Sequence, residues 1–158
     1  MEGLQLIDDA LLDDLVARAR KTERLRLNHN FHAGPSDNPH RFLNALIRGT
    51  YVCPHRHTTP PKDEAFLVLR GEVGIAVFDD EGRVRAKAHL GGAQRPAGLD
   101  LRAGVFHTLV PLSDAAVIYE VKPGPWEPAT DKDWAPWAPR EGEPGVAAYR
   151  EELEALFA

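Results

Sequence analysis

Cysteine is nearly absent from this chain. Cys53 is the only one in 158 residues, so no internal disulfide can form and a reducing compartment is expected. Positive charge is also scarce. Nineteen Lys and Arg against 24 Asp and Glu leave a formal net charge of -5, which argues against nucleic acid or an anionic membrane as partner, since both need a basic surface. The one basic cluster, Arg18, Arg20, Lys21, Arg24 and Arg26, fits cations near the C-terminus of a helix. No apolar run is long enough to span a bilayer. The opening MEGLQLIDDALLDDL is acidic and amphipathic, and lacks the basic n-region and unbroken apolar core of a signal peptide. Cytoplasmic is the expected location.

The length favours one domain over residues 1–158, and 43% apolar with 27% charged residues is ordinary for a globular protein. Asp8 or Asp9 can cap a helix running to about Lys21, with Ile7, Leu11, Leu12, Leu15, Val16 and Ala19 forming one stripe. Residues 1–24 therefore read as an N-terminal helix that packs on a sheet. From 25 to 122 the texture changes to short apolar runs between turn signals. Strands are expected at Leu25–Phe31, Phe42–Ile47, Tyr51–His57, Ala65–Arg70, Val73–Phe78, Val84–Leu90, Leu99–Leu101, Thr108–Pro111 and Ala116–Lys122. Asp79-Asp80-Glu81-Gly82 reads as a hairpin turn. The fold class is thus mainly all-β, a sandwich or barrel, and a jelly roll leaves an interior pocket. Residues 123–158 hold all three tryptophans, Trp126, Trp134 and Trp137, in a proline-rich strap, followed by a C-terminal helix over Val146–Phe157.

The chemistry concentrates in Gly49–Gly71, GTYVCPHRHTTPPKDEAFLVLRG. Alternation puts His55 and His57 on one face of a strand. Glu64 heads the next apolar run and His107 lies in AGVFHTLV, so a third imidazole and a carboxylate can join them. Three imidazoles and one carboxylate suit iron, manganese, nickel or zinc better than calcium or magnesium.

Gly49-x5-His55-x-His57-x6-Glu64-x6-Gly71 resembles the first signature of the cupin superfamily, and Ala103-Gly104-x2-His107 resembles the core of the second. The resemblance implies a jelly-roll β-barrel with His55, His57, Glu64 and His107 holding one divalent metal ion. A closer likeness covers nearly the whole chain. NHNFH (Asn28–His32), RFLNAL (Arg41–Leu46) and GPWEPATDKDWAPWAPREGEP resemble the WbuC family of cupin-fold metalloproteins, named from O-antigen gene clusters and without an assigned reaction. Two features depart from the cupin pattern. Six residues rather than three or four separate His57 from Glu64, and Arg102 stands where proline is usual. Glu64 keeps phase with Gly71 and is preferred as ligand over Asp63, which would face the other way.

Tyr51 and Cys53 share the alternation of the histidine pair, so both are pocket candidates. For Cys53 a small buried hydrophobic role is favoured over a redox-sensitive thiol. Arg41 and Asn44 either line the pocket or hold the strands, as do Asn28 and Asn30, and Arg102 can place a guanidinium near the mouth. His29 and His32 are read as structural or interface residues, and His40 and His89 receive no role. The tryptophans pack the strap or form a partial lid.

Two functional readings follow. One is a metal-dependent enzyme, an isomerase or oxidoreductase acting on a small carbohydrate-related substrate such as a sugar or nucleotide sugar, the substrate class being suggested by the O-antigen association. The other is a non-catalytic, metal-dependent sugar-binding or sensing module; a purely structural ion is a third, blander possibility. Apolar faces around AFLVL are compatible with a homodimer.

Overall fold

A computed structural model describes residues 3–158. Helix α1 spans Asp9–Ala19, and the Asp8 carboxylate caps it by accepting from the Leu11 amide at 3.0 Å. Its buried face, Leu12, Leu15 and Ala19, packs on Leu43, Ala45 and Val117 of the sheet beneath. Burying Leu12 and Leu15 contributes about 2 kcal/mol each. The helix is shorter than its apolar stripe predicts. It ends at Ala19, where the Arg20 amide turns back to the Val16 carbonyl, and Ile7 lies before it, exposed.

The strands among the described residues are β1 (Arg26–Asn30), β2 (His40–Ile47), β3 (His55–Arg56), β4 (Glu64–Arg70), β5 (Glu72–Phe78), β6 (Val84–Gly91), β7 (Gly98–Leu101), β8 (Phe106–Pro111), β9 (Ala115–Lys122) and β10 (Asp133–Trp134). Their pairings are antiparallel and make two five-stranded sheets, ordered β1-β2-β9-β4-β7 and β10-β3-β8-β5-β6. The β5–β6 hairpin closes on the expected turn, with Gly82 at φ 84°.

Side chains alternate across each strand, so the inward faces meet in a core that includes Leu46, Phe66, Ile75, Leu90, Leu109 and Ile118. Helix α1 covers the outer face of the first sheet, which is why β2 is buried on both sides. On the second sheet, Trp137 packs against Phe78 and Phe106 with ring centroids 4.9 and 5.9 Å apart. Helix α2 (Val146–Ala155) adds Leu153 and Tyr149 to the same cluster. The proline-rich strap is thereby part of the fold, and through β10 it supplies an edge strand.

Two expectations are corrected. The sheets face one another without closing into a barrel, because β1 and β7 end one sheet and β10 and β6 the other. The strand expected over Tyr51–His57 is reduced to His55–Arg56. Pro54 has no amide to donate to a ladder, and its carbonyl instead accepts from the Ala135 amide at 3.0 Å.

Candidate functional site

His55 opens β3 and stands directly across from His107 of β8. His57 follows β3 by one residue, and Glu64 opens β4 in the opposite sheet. The four side chains therefore converge between the sheets, each residue no more than 5% exposed. Glu64 Oε1 lies 3.2 Å from His57 Nε2, and Oε2 lies 3.0 Å from His107 Nε2. The His55 ring centroid is 4.6 Å from that of His107 and 5.3 Å from that of His57. Asp63 points outward and accepts from the Ala103 amide at 2.8 Å.

Backbone carbonyls fix the tautomer of all three imidazoles. His55 Nδ1 meets the Cys53 carbonyl at 2.9 Å, His107 Nδ1 meets the Val105 carbonyl at 3.0 Å, and His57 Nδ1 meets the Asp131 carbonyl. A carbonyl oxygen only accepts, so each Nδ1 carries the proton and, in the neutral ring, each Nε2 is left with a lone pair. Burial, then Lys132 and His107, push His55 well below its ordinary pKa, which keeps that ring neutral. His57 Nε2 is fully buried and has no hydrogen-bond partner, although a carboxylate oxygen is near. Lone pairs facing a carboxylate repel one another unless a cation stands between them.

The donor types suit a transition ion. Imidazole nitrogens held by carbonyls behind them, together with a carboxylate, are the ligands such metals take. Neighbouring ligand atoms at right angles in a shell of about 2.1 Å lie about 3 Å apart, close to the two Glu64 separations. His55 makes no comparable approach to Glu64, and among the described residues no group of three or more His, Cys, Asp or Glu side chains is placed to hold a metal ion.

Around this cluster lies a buried charge network. Lys122 Nζ is 3.4 Å from Glu64 Oε1, 3.3 Å from Glu120 Oε1 and 3.9 Å from Asp131 Oδ2. Lys62 Nζ donates to Asp131 Oδ1 at 2.7 Å and to the Pro125 carbonyl at 2.6 Å. The longer segment between His57 and Glu64 thus delivers a buried lysine behind the site. Burial pushes the Glu120 carboxyl up to about 7, with Lys122 opposing it. Lys122 is raised: burial works against its charge, but Glu120, Glu64 and Asp131 outweigh that. Burial and then Lys122 lower Lys132 to about 8.

Glu64, Glu120, Lys122, Asp131 and Lys132 border a cavity of about 700 Å³ with His55 and His107, lined also by Asn28, Asn30, Asn44, Trp126 and Trp134. Of the pocket candidates named from sequence, Asn44 lines it. Tyr51 instead donates its hydroxyl to the Pro139 carbonyl at 2.7 Å, and Cys53 is buried with Phe78 and Phe106 under the strap. Alternation made both candidates for the cavity, and Pro54 interrupts it; Cys53 takes the small buried hydrophobic role favoured for it. Arg41 is exposed on the outer face of β2, and Arg102 sits outside, 3.3 Å from Asp63. His32 and His40 reach the cavity rim, stacked with centroids 4.0 Å apart.

Sequence reasoning missed Glu120, Lys122, Asp131, Lys62, Lys132, Arg24 and Arg26. For two of them the signal was present. Glu120 and Lys122 alternate in phase with Ala116 and Ile118, the inward residues of β9.

The two facing antiparallel sheets give a cupin-like fold. The chain belongs to the family described as "Domain of unknown function (DUF6016)", which matches residues 7–90. Protein SO0799 from Shewanella oneidensis is similar in fold, with TM-score 0.59 and 12% identity over 91% of this chain and 92% of that one. The capsular polysaccharide assembling protein CapF from Staphylococcus aureus gives TM-score 0.57 and 20% identity over 72% of this chain, which spans 32% of CapF. L-ribose isomerase from Cellulomonas parahominis gives 0.56 and 13%, covering 72% of this chain and 70% of that one. At these identities the likeness is one of fold. A search among curated proteins finds no match. Among the described residues no helix is long and apolar enough to cross a membrane.

Proposed function

We propose that this protein binds one divalent transition metal ion, iron, manganese, nickel or zinc, through His55, His57, Glu64 and His107, as a cytoplasmic cupin-fold metalloprotein of WbuC type. The observation that carries the reading is the fixed tautomer of the three rings: each Nδ1 is tied to a carbonyl, and the buried Nε2 of His57 faces a carboxylate without a hydrogen bond. Four protein ligands leave one or two coordination positions for a small molecule, and a bound ion would act there as a Lewis acid or redox centre. The substrate class we propose is carbohydrate-related. Fold-level likeness to CapF and to L-ribose isomerase supports this by analogy alone.

Of the two reaction types, isomerisation is favoured over oxidation. Glu120 is a buried carboxylate on the cavity wall, its pKa raised to about 7 by burial, and so able to take and return a proton. A non-catalytic binding or sensing module is the alternative. It would show ligand-dependent thermal stabilisation without turnover. Homodimerisation through the outer face of β4 is supported by exposed Leu67 and Leu69, 50% and 42% accessible.

Cobalt(II) titration of chelator-treated protein tests the metal reading. Visible absorption bands should saturate at about one equivalent and disappear in His57→Ala and Glu64→Gln. Bands unchanged in both variants would place the ion elsewhere.

A further inference from the structure

We propose that the cavity takes a small hydroxylated molecule bearing an anionic group, a carboxylate or a phosphate, with Lys132 as the anion contact and Asn44 as the hydroxyl contact. The inference rests on the metal-binding reading and specifies what would fill the space beside the ion.

The charges of the two walls lead to the anion. On one side, Arg24 approaches Glu141 through Nε at 2.7 Å and Nη2 at 2.9 Å, and the Arg26 guanidinium binds the same carboxylate. One carboxylate between two guanidinium groups leaves an excess positive charge at that wall, with Arg26 largely buried and Arg24 60% exposed. On the other side, Lys62, Lys122 and Lys132 stand against Glu64, Glu120 and Asp131. Among the lysines, the first two account for all the contacts within 4.0 Å of those carboxylates, and Glu64 also meets His57 and His107. Lys132 is left over. Among the described residues no carboxylate lies within 4.0 Å of its ammonium, whose aromatic neighbour is the Trp134 ring at 5.2 Å. The whole arrangement carries one positive charge in excess, and a divalent ion beside Glu64 would raise that to three. Excess charge in a confined, partly desolvated space is costly unless a counter-ion enters.

The hydroxyl follows from a separate group. Asn44 Oδ1 is buried without a partner, and it belongs to a cavity-lining pair, since Asn28 stands directly across from Asn44 in the β1–β2 register. An acceptor in that position calls for an O–H or N–H donor. A neutral polyol would satisfy Asn44 and leave the charge. A bare anion would do the reverse. A molecule carrying both features answers both, and a cavity of about 700 Å³ lies within the range of small-molecule sites.

The test is calorimetric titration of metal-loaded and chelator-treated protein with glucose, gluconate and glucose 6-phosphate. At least one of the two anions is expected to bind about tenfold or more tightly than glucose, the worth of one charge-assisted hydrogen bond. Lys132→Met should remove about that factor from the anions' advantage over glucose. Tighter gluconate binding would assign a carboxylate, and tighter glucose 6-phosphate binding a phosphate. Glucose binding as tightly as both anions, no binding of either anion, or an undiminished anion preference in Lys132→Met would each overturn the proposal. The wild-type comparison decides even if the variant fails to fold. Elemental analysis of the same samples separates the two readings. An anion preference in protein that takes up no metal would sink the metal centre alone, and a metal-loaded protein indifferent to charge would sink the anion site alone.

Discussion

Replacing Lys122 by Met keeps the aliphatic stem and removes the ammonium that stands 3.4 Å from Glu64 and 3.3 Å from Glu120. The three side chains are each less than a tenth exposed, so solvent cannot replace the missing charge. Asp131 retains Lys62 at 2.7 Å. Glu120, with its pKa near 7, can take a proton and become neutral. Glu64 keeps only the His57 and His107 rings, at 3.2 and 3.0 Å, and losing the cation of a buried pair of this kind costs about 3–5 kcal/mol. For a chain of this length each kcal/mol moves the midpoint by about 2–4 °C, so the variant should melt about 6–20 °C lower. The measurement is urea and thermal unfolding of chelator-treated protein at pH 7.5, followed by circular dichroism. Metal ions should recover part of the loss, since an ion beside Glu64 supplies the absent charge. A loss below about 1 kcal/mol in the chelated protein would refute the claim that Lys122 neutralises a buried carboxylate.

Three further outcomes are expected. Asp8→Ala removes the acceptor for the Leu11 amide and should cost about 1 kcal/mol of unfolding free energy in urea; no change would mean that α1 needs no cap. Gly71 has φ 72°, and a Cβ there would collide with the Ala115 carbonyl and Ser113 hydroxyl, so Gly71→Ala should lose at least about 2 kcal/mol, readable as a lowered urea midpoint. Asp131 is held below its ordinary pKa: burial opposes this, but Lys122 and the Lys62 hydrogen bond outweigh it. As pH falls below about 3.9 the unfolded chain gains that proton first. The stability from Asp131 is therefore full above this pH and lost on descent through the lower folded value. In Asp131→Asn that part of the acid dependence of the unfolding midpoint should vanish.

The elements that sequence made legible are those with strong periodicity. The strands from β4 to β9 fall within one or two residues of the apolar runs that define them, and the α1 stripe found its sheet. Glu64 and the three histidines were legible because their spacing survives folding: the inward phase of β4 brings Glu64 to His57 and His107. Alternation failed where the ladder was broken. Pro54 frees Tyr51 and Cys53 from the register of His55, and no count of residues from the histidines could reveal that they turn under the strap. The remainder was illegible for a different reason. Asp131 and Lys132 lie in an aperiodic, proline-rich stretch, and Lys62 follows two prolines, so only tertiary contacts bring them to the site. Arg24 and Arg26 read as helix-terminal cations, yet the chain turns after Ala19 and carries both to the cavity wall, against Glu141.

The central claim is that the four converging side chains hold an ion. Elemental analysis of protein purified without added metal or chelator, set beside His107→Ala prepared identically, tests it most directly. The account predicts about one transition-metal ion per chain in the wild type and a small fraction of that in the variant. Equal metal content in the two, or none in the wild type even after incubation with iron, manganese, nickel and zinc salts, would contradict it.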